Sequence, residues 1–319
     1  MTNRGGRWFS VVMPLFNKEP FVERAIRSVL DQTHEEFELL VVDDGSTDKG
    51  PDVVRGIPDA RVRLLQQRNS GVAAARNAGV LNGHYEHIAF LDADDTWEPG
   101  CLAKLNELMD AFPGAALFGV NQWIMLAGGE IICDDFKGLF GNADKGLLRD
   151  YFGLFAQIGR SPFSNSGFAL RRRVFDDVGG YRPGVTLTED SDLWCRVALK
   201  HDIAFSSTPL VTYYMETPGN TLARFEPRDF EVSVTLQTAL DNDCVRATDR
   251  CAVKQLVALQ QLRLVRRALA ASDMPFVRQK AGERRFIRRY PFQAVLYLAV
   301  SRMPPKLVRS LYRIAKRAR

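Results

Sequence analysis

Three carboxylates fall within four residues at Asp92-Ala93-Asp94-Asp95, directly after the apolar run His87–Leu91. Carboxylates this close repel one another, and a hard divalent cation is the natural compensation. Mg²⁺ takes one or two protein carboxylates and completes its shell with phosphate oxygens and water. Mn²⁺ accepts similar oxygen ligands. Such an ion could neutralise charge growing on a departing nucleotide diphosphate. Taken alone, the same residues also suit an acidic loop opening a helix, where carboxylates favour the N-terminus.

Three further clusters have chemical potential. Asp43-Asp44-Gly45-Ser46-Thr47-Asp48 follows the apolar run Phe37–Val42. It reads as an Asx-type turn, or as a strand-end carboxylate that accepts hydrogen bonds from a ribose or base. Asn69 to Gly79 (NSGVAAARNAG) passes from a loop into a small-residue helix, where Arg76 could face a diphosphate or simply pack. Thr188-Glu189-Asp190-Ser191-Asp192 precedes Leu193-Trp194. It reads as an N-cap with helpful first-turn acids, or as a general base able to take a proton from an attacking hydroxyl.

The segments around these clusters decide whether they can meet. Residues 8–14, 37–42, 61–66 and 87–91 read as strands, and helices are predicted over Glu19–Gln32, Gly71–Leu81 and Pro99–Phe112. That alternation indicates an α/β domain with a largely parallel sheet. In such sheets ligands bind beyond the carboxyl ends of the strands. Phe16-Asn17-Lys18-Glu19, the Asp43 cluster and the Asp92 cluster all sit at such ends. Beyond Ala115 the pattern predicts two strands around Gly128-Gly129, then strands at Gly167–Arg171 and Ile203–Tyr214. A helix is predicted over Asp190–Lys200, and helices broken near Asp241-Asn242 over Glu226–Leu269.

Composition sets the frame. The 319 residues are 46% hydrophobic and 25% charged, which is globular and long enough for a sizeable core. Five scattered cysteines form no C-x-x-C pair, which argues against structural zinc and suits a reducing cytoplasm. The sequence shows neither a leader-like N-terminus nor a run of membrane-span length, so a cytoplasmic protein is expected, peripheral on the inner membrane face at most. Charge is uneven: residues 262–319 hold 16 Lys/Arg and 2 Asp/Glu, against +5 for the whole chain. No nucleic-acid-binding module is recognisable, and no nucleic-acid partner is expected.

Five segments, taken in order, resemble the family-2 glycosyltransferases of the GT-A fold. They are VVMPLFNKEPFVERAIRSVLDQT, FELLVVDDGSTD, NSGVAAARNAG, IAFLDADDTWEP and TEDSDLWCRVA. They span roughly residues 9 to 200, about two thirds of the chain. Each is weak alone, but five in order are specific. The resemblance implies a nucleotide-sugar-binding half over about 1–115, an acceptor-binding half with the catalytic base over 116–225, and a helical basic region over 226–319. It implies that Pro14, Asn17, Glu19 and Asp44 hold the nucleotide and that Arg76 lies near base or diphosphate. It makes Asp92 and Asp94 the D-x-D pair for Mn²⁺ or Mg²⁺, with Asp94 the direct ligand. Asp190 becomes the base, with Glu189 beside it. The implied reaction is a single inverting displacement from a nucleotide-sugar, a UDP-sugar by family preference, onto a glycan or lipid-linked acceptor in bacterial surface-polysaccharide synthesis.

Processive members carry Q-x-x-R-W, whereas Gln260-Gln261-Leu262-Arg263-Leu264 lacks the Trp, which points to single transfer. Residues 291–319 join a short apolar run to an Arg/Lys-rich stretch with Leu307, Leu311 and Ile314 near one face. They suit the headgroup region of an anionic membrane. A nucleotide-sugar pyrophosphorylase is disfavoured, because Gly5-Gly6-Arg7 precedes the first strand instead of following it. A non-catalytic nucleotide-binding partner of the same fold is the remaining alternative.

Overall fold

The structure, a computed structural model, describes residues 7–126, 128–185, 187–215 and 230–303. The described residues cluster into two compact units. One comprises Met1–Tyr151 with Arg160–Asn220, and the other Phe152–Gly159 with Thr221–Arg319.

The first unit alternates strand and helix: β1 (Phe9–Leu15), α1 (Glu19–Leu30), β2 (Phe37–Asp43), α2 (Gly50–Arg55), β3 (Val62–Gln66), α3 (Val72–Asn82), β4 (His87–Phe90), β5 (Thr96–Trp97) and α4 (Cys101–Ala111). There follow β6 (Leu117–Met125), β7 (Ile131–Cys133), β8 (Lys145–Leu147), then, beyond α5 (Tyr151–Ile158), a 3₁₀ turn at Asn165–Gly167 and β9 (Phe168–Arg171). α6 (Arg172–Asp177), α7 (Glu189–Lys200) and β10 (Ile203–Tyr214) complete it. One sheet runs in the order β3-β2-β1-β4-β9-β6-β10-β5, with β7 on β6 and β8 on β10. The halves expected at 1–115 and 116–225 therefore share a single sheet.

The pairings explain where a site must lie. β3, β2, β1 and β4 are mutually parallel. β9 runs antiparallel to β4 and to β6, and β10 is parallel to β6. Six strands thus point one way, as expected of a mostly parallel sheet, and β9 is inserted head to tail. The turn before β9 therefore opens on the same edge at which β1, β2, β4 and β10 end.

Strands β1 and β2 are buried at every position because helices cover both faces. On one face α1 presses Val22, Ala25, Ile26 and Val29 onto Val11, Met13, Leu39 and Val41, joined by Leu102, Leu105 and Leu108 of α4. The other side holds an aromatic cluster in which Trp194 meets Phe163 and Phe168 edge-on, and Phe90 meets Phe168 and Tyr181. α3 lies close to the sheet through Gly79, where a Cβ would collide with Val12 and Val42.

The second unit is helical, as expected for the basic C-terminal region. It contains α5 together with α8 (Glu231–Asp241), α9 (Arg250–Ala271), α10 (Met274–Ala281), α11 (Arg284–Arg289) and α12 (Pro291–Val300). Val253, Leu256, Leu264, Val265 and Ala268 of α9 are buried, as are Phe276 and Val277 of α10. Among the described residues no helix is long and apolar enough to cross a membrane. Leu307, Leu311 and Ile314 lie outside the described residues.

Candidate active site

The β1–α1 loop and the turn after β2 are laced together. Asn17 N donates to Ser46 Oγ at 3.0 Å, and Asn17 Oδ1 accepts from Thr47 N at 2.8 Å. Glu19 N donates to Asp48 Oδ2 at 2.8 Å, while Lys49 N donates to Glu19 Oε2 at 3.0 Å. Asn17 tolerates the left-handed backbone (φ 51°) that this junction requires. Pro14 is buried within β1, opposite Val42 of β2. Pro14, Asn17 and Glu19 therefore lie at the carboxyl end of β1, where the polar atoms of Asn17 and Glu19 hold the neighbouring turn in place.

Asp44 has a similar task on the other side. Its carboxylate accepts from Gln67 Nε2 at 2.7 Å and from the backbone of Ser70 and Gly71, each at 2.8 Å. It thereby anchors the loop that leads into α3. Two backbone amides and one side-chain amide still leave lone pairs on an ionised carboxylate.

Arg76 turns towards carboxylates. It is buried, yet Nη2 donates to Asp92 Oδ1 at 2.8 Å and Nη1 to Glu189 Oε1 at 3.0 Å. Its guanidinium lies 5.2 Å from the centre of the Tyr181 ring. Burial opposes its charge, but Asp92, Tyr181 and Glu189 outweigh burial and hold it above its ordinary value. The Nε atom is buried, with no hydrogen-bond partner among the described residues. Both terminal nitrogens of Arg76 thus tie the D-x-D segment to the start of α7.

Asp94 Oδ2 accepts from Lys18 Nζ at 2.6 Å, and the Asp94 carbonyl accepts from Arg24 Nη2 at 3.0 Å. Asp95 is buried differently: it accepts from Ser166 Oγ at 2.5 Å and from Tyr214 N at 3.1 Å. Burial, then the charges of Asp94 and Asp92, hold its carboxyl well above the usual range. The three acids of the cluster therefore have different surroundings, and Asp95 serves the architecture of the edge.

The first turn of α7 brings Glu189 and Asp190 to this edge. Its N-cap, Thr188, is a β-branched residue held at φ 65°, a strained conformation that the surrounding packing must enforce. Thr188 Oγ1 is also buried, with no hydrogen-bond partner among the described residues. Further along, Asp192 is fully buried and accepts from Arg196 Nε at 2.9 Å. Arg196 in turn donates to the carbonyls of Val178 and Gly180, fixing the chain before Tyr181. Glu189 is engaged by Arg76. Among the described residues no arginine pairs with Asp190, and enclosure by protein followed by the adjacent Glu189 charge pushes its carboxyl up to about 7, with Arg76 opposing. A carboxyl poised near neutrality is suited to take a proton.

Several further residues at the edge are not among the candidate site residues drawn from the sequence. Ser166 Oγ, besides donating to Asp95, accepts from Asp92 N at 3.0 Å. Asn165 donates to Asp92 Oδ1 at 3.3 Å and accepts from the Tyr181 hydroxyl. Asn77 of the A-R-N element exchanges two hydrogen bonds with the Tyr181 backbone, 2.7 and 3.0 Å long. Tyr213, near the end of β10, sits among the carboxylates: burial and then Asp95, Asp92, Asp94 and Asp190 push its phenol up. The only sequence signal for Asn165 and Ser166 is a polar run, Ser164-Asn165-Ser166-Gly167, immediately before an apolar strand.

The geometry agrees with comparison to known proteins. A model of the family described as Glycosyl transferase family 2 matches residues 10–179, more than half the chain. An uncharacterized glycosyltransferase of Nostoc sp. is 35% identical over 178 residues, 53% of this chain and 52% of that protein. The putative teichuronic acid biosynthesis glycosyltransferase TuaG of Bacillus subtilis is 38% identical over 103 residues, 31% of this chain and 41% of TuaG. The succinoglycan biosynthesis protein ExoW of Rhizobium meliloti is 35% identical over 142 residues, 42% of this chain and 41% of ExoW. The chain thus spans about half the length of these curated relatives, or less. A crystal structure of S. aureus TarS 1-349 in complex with UDP-GlcNAc superposes with a TM-score of 0.69 at 16% identity, covering 97% of this chain and 92% of that one. That likeness is one of fold. Glu189, Asp190 and Tyr213 lie beyond the residues of the family match, and their place at the edge comes from the structure. Sheet order, the convergence of the D-x-D segment on α7 and the family match lead to one conclusion: the chain belongs to glycosyl transferase family 2 and adopts the GT-A fold.

Proposed function

We propose that this chain transfers a sugar from a nucleotide-sugar, specifically a UDP-sugar, to an acceptor hydroxyl with inversion, using Mn²⁺ or Mg²⁺. The observation that carries the reading is the Arg76 bridge. It fastens Asp92 to Glu189 at the carboxyl ends of the strands and leaves Asp190 beside them with a carboxyl pushed up to about 7.

Each of the chain's own residues has a defined task. Asp190 takes the proton as the acceptor oxygen bonds to the anomeric carbon and the bond from that carbon to the diphosphate oxygen breaks. Glu189, held by Arg76, keeps the first turn of α7 against the D-x-D segment. Tyr213 offers a phenol that stays protonated as a hydrogen-bond donor among the carboxylates. Asp44 and the loop it anchors form the base- and ribose-facing side, walled by Pro14, Asn17 and Glu19.

The residues fit a divalent cation. Asp94 already takes a positive charge, the Lys18 ammonium, at 2.6 Å, and Asp92 lies two residues away. Among the described residues no three acidic, His or Cys side chains converge into a closed cage, so diphosphate and water would complete the shell. When bound, the cation would supply charge neutralisation at the departing diphosphate.

The choice of donor is supported by TarS, which shares the fold and has been solved with UDP-GlcNAc and with UDP. The names of TuaG and ExoW support an acceptor in cell-surface polysaccharide synthesis. A lipid-linked glycan on the inner membrane face, reached through the basic residues 291–319, suits the charge of that segment. The test is to incubate the protein with UDP-sugars, Mn²⁺ and lipid-linked glycans and to follow UDP release and the anomeric configuration of the product. Acceptor-dependent release with inversion supports the reading. Stoichiometric donor binding without turnover on any acceptor favours the non-catalytic partner.

A further inference from the structure

Helix α12 contains no charged residue. Ala294 and Tyr297 are buried, and the Tyr297 ring approaches Phe286 of α11. Its outward positions are also apolar: Phe292 is 85% exposed, Val295 70% and Leu296 56%, and Ala299 is exposed as well. Steps of three and four residues place these side chains in one stripe along the helix. Ile287 of α11 adds a further exposed aliphatic side chain. A surface helix normally carries polar residues on this face. Scattered apolar residues need no explanation, but a continuous stripe marks an interaction surface.

Charge indicates what covers it. From Arg284 to Met303 there are five arginines, Arg284, Arg285, Arg288, Arg289 and Arg302, all exposed, and no acidic residue. A second copy of the chain would bring the same cations against them. Residues 304–319 hold six Lys/Arg and no acid, so they too would meet like charge. An anionic lipid surface complements both features: the stripe can enter the boundary between headgroups and acyl chains, and the arginines can meet lipid phosphates.

We infer that α11 and α12 form an interfacial anchor that lays the Phe292, Val295 and Leu296 stripe into an anionic bilayer. The inference deepens the membrane reading made above by assigning the anchor to residues 284–300 instead of Leu307, Leu311 and Ile314.

The test is co-sedimentation of the full chain with vesicles of phosphatidylcholine alone or mixed with phosphatidylglycerol. The variants are Phe292→Ser/Leu296→Ser and Arg288→Gln/Arg289→Gln, with UDP binding measured on each. The wild type should bind the mixed vesicles and bind pure phosphatidylcholine far more weakly. Removing the two exposed side chains should weaken vesicle binding about tenfold or more. The arginine variant should bind more weakly at low salt and show a shallower salt dependence. UDP binding should be unchanged in both, so failure of the anchor and failure of the donor site are read separately. No binding of the wild type to mixed vesicles would overturn the inference. So would full binding by the serine variant, or a concentration-dependent dimer that this variant abolishes.

Discussion

Arg76 Nη1 stands 3.0 Å from Glu189 Oε1, joining residues 113 positions apart in sequence. The same guanidinium holds Asp92, so one buried cation fixes the distance between the D-x-D segment and the start of α7. Arg76→Ala would leave two carboxylates at the edge without their partner. Breaking such a buried pair from one side costs about 3–5 kcal/mol. Donor binding and transfer should both fall, and the melting temperature should drop. Arg76→Lys should recover part of the stability but not the transfer, because an ammonium cannot span two carboxylates as the planar fork does.

The raised Asp190 carboxyl gives a pH prediction with a definite sign. As the proposed base, Asp190 would act in its ionised form, so kcat should rise with pH through about 7. Stability should move the other way. The folded state keeps a proton that the unfolded chain releases near pH 4. This group's contribution therefore declines as pH rises from the ordinary carboxylate range to about 7, and is flat above. Asp190→Asn should bind donor normally, lose transfer, and be at least as stable as wild type at pH 8, as read by urea denaturation. Transfer at the wild-type rate, or a variant markedly less stable at pH 8, would remove Asp190 from the role of base.

Ser166 tests the part of the edge that carries no motif. Its hydroxyl donates to buried Asp95 and accepts from Asp92 N. In Ser166→Ala both partners lose their bond, a cost of about 1–3 kcal/mol for leaving buried polar groups unpaired. The loop bearing Asp94 should loosen, so the donor KM should rise more than kcat falls. An unchanged KM would show that the loop is held by other contacts.

Much of this arrangement was legible in the sequence because buried strands leave uninterrupted apolar runs. β1, β2 and β4 each end in the polar cluster that was expected there, and Glu189 and Asp190 do open a helix. What could not be read is direction. The position of Asn165 and Ser166 follows from β9 running against its neighbours, which apolarity alone does not encode. Tyr213 was hidden for a related reason: β10 continues past its partially exposed middle, and only the register with β6 carries its end to the site. The resemblance implies that Arg76 lies near base or diphosphate; what the sequence does not reveal is that it also reaches two carboxylates, one of them supplied by a distant helix.

Gly79 gives a control on stability that leaves the chemistry intact. A methyl group there would meet Val12 and Val42, so α3 would have to move off the sheet. Gly79→Ala should cost about 1–3 kcal/mol by overpacking. No residue of the site is replaced, so the pH at which kcat rises should stay where it is in the wild type as long as Arg76, three residues earlier on α3, keeps its hold on Glu189. A coincident shift of that pH would mean that α3 sets the Asp190 environment through Arg76.

The most direct measurement is calorimetric titration of UDP and UDP-sugars into the wild type, Lys18→Met and Asp94→Ala, each with and without Mn²⁺. Lys18 holds Asp94 at 2.6 Å and would compete with the proposed cation for it. Mn²⁺ should therefore tighten nucleotide binding in the wild type, tighten it further in Lys18→Met, and have no effect in Asp94→Ala. Nucleotide binding that ignores Mn²⁺ in the wild type, or that keeps its full Mn²⁺ dependence in Asp94→Ala, would contradict a cation site at the D-x-D segment.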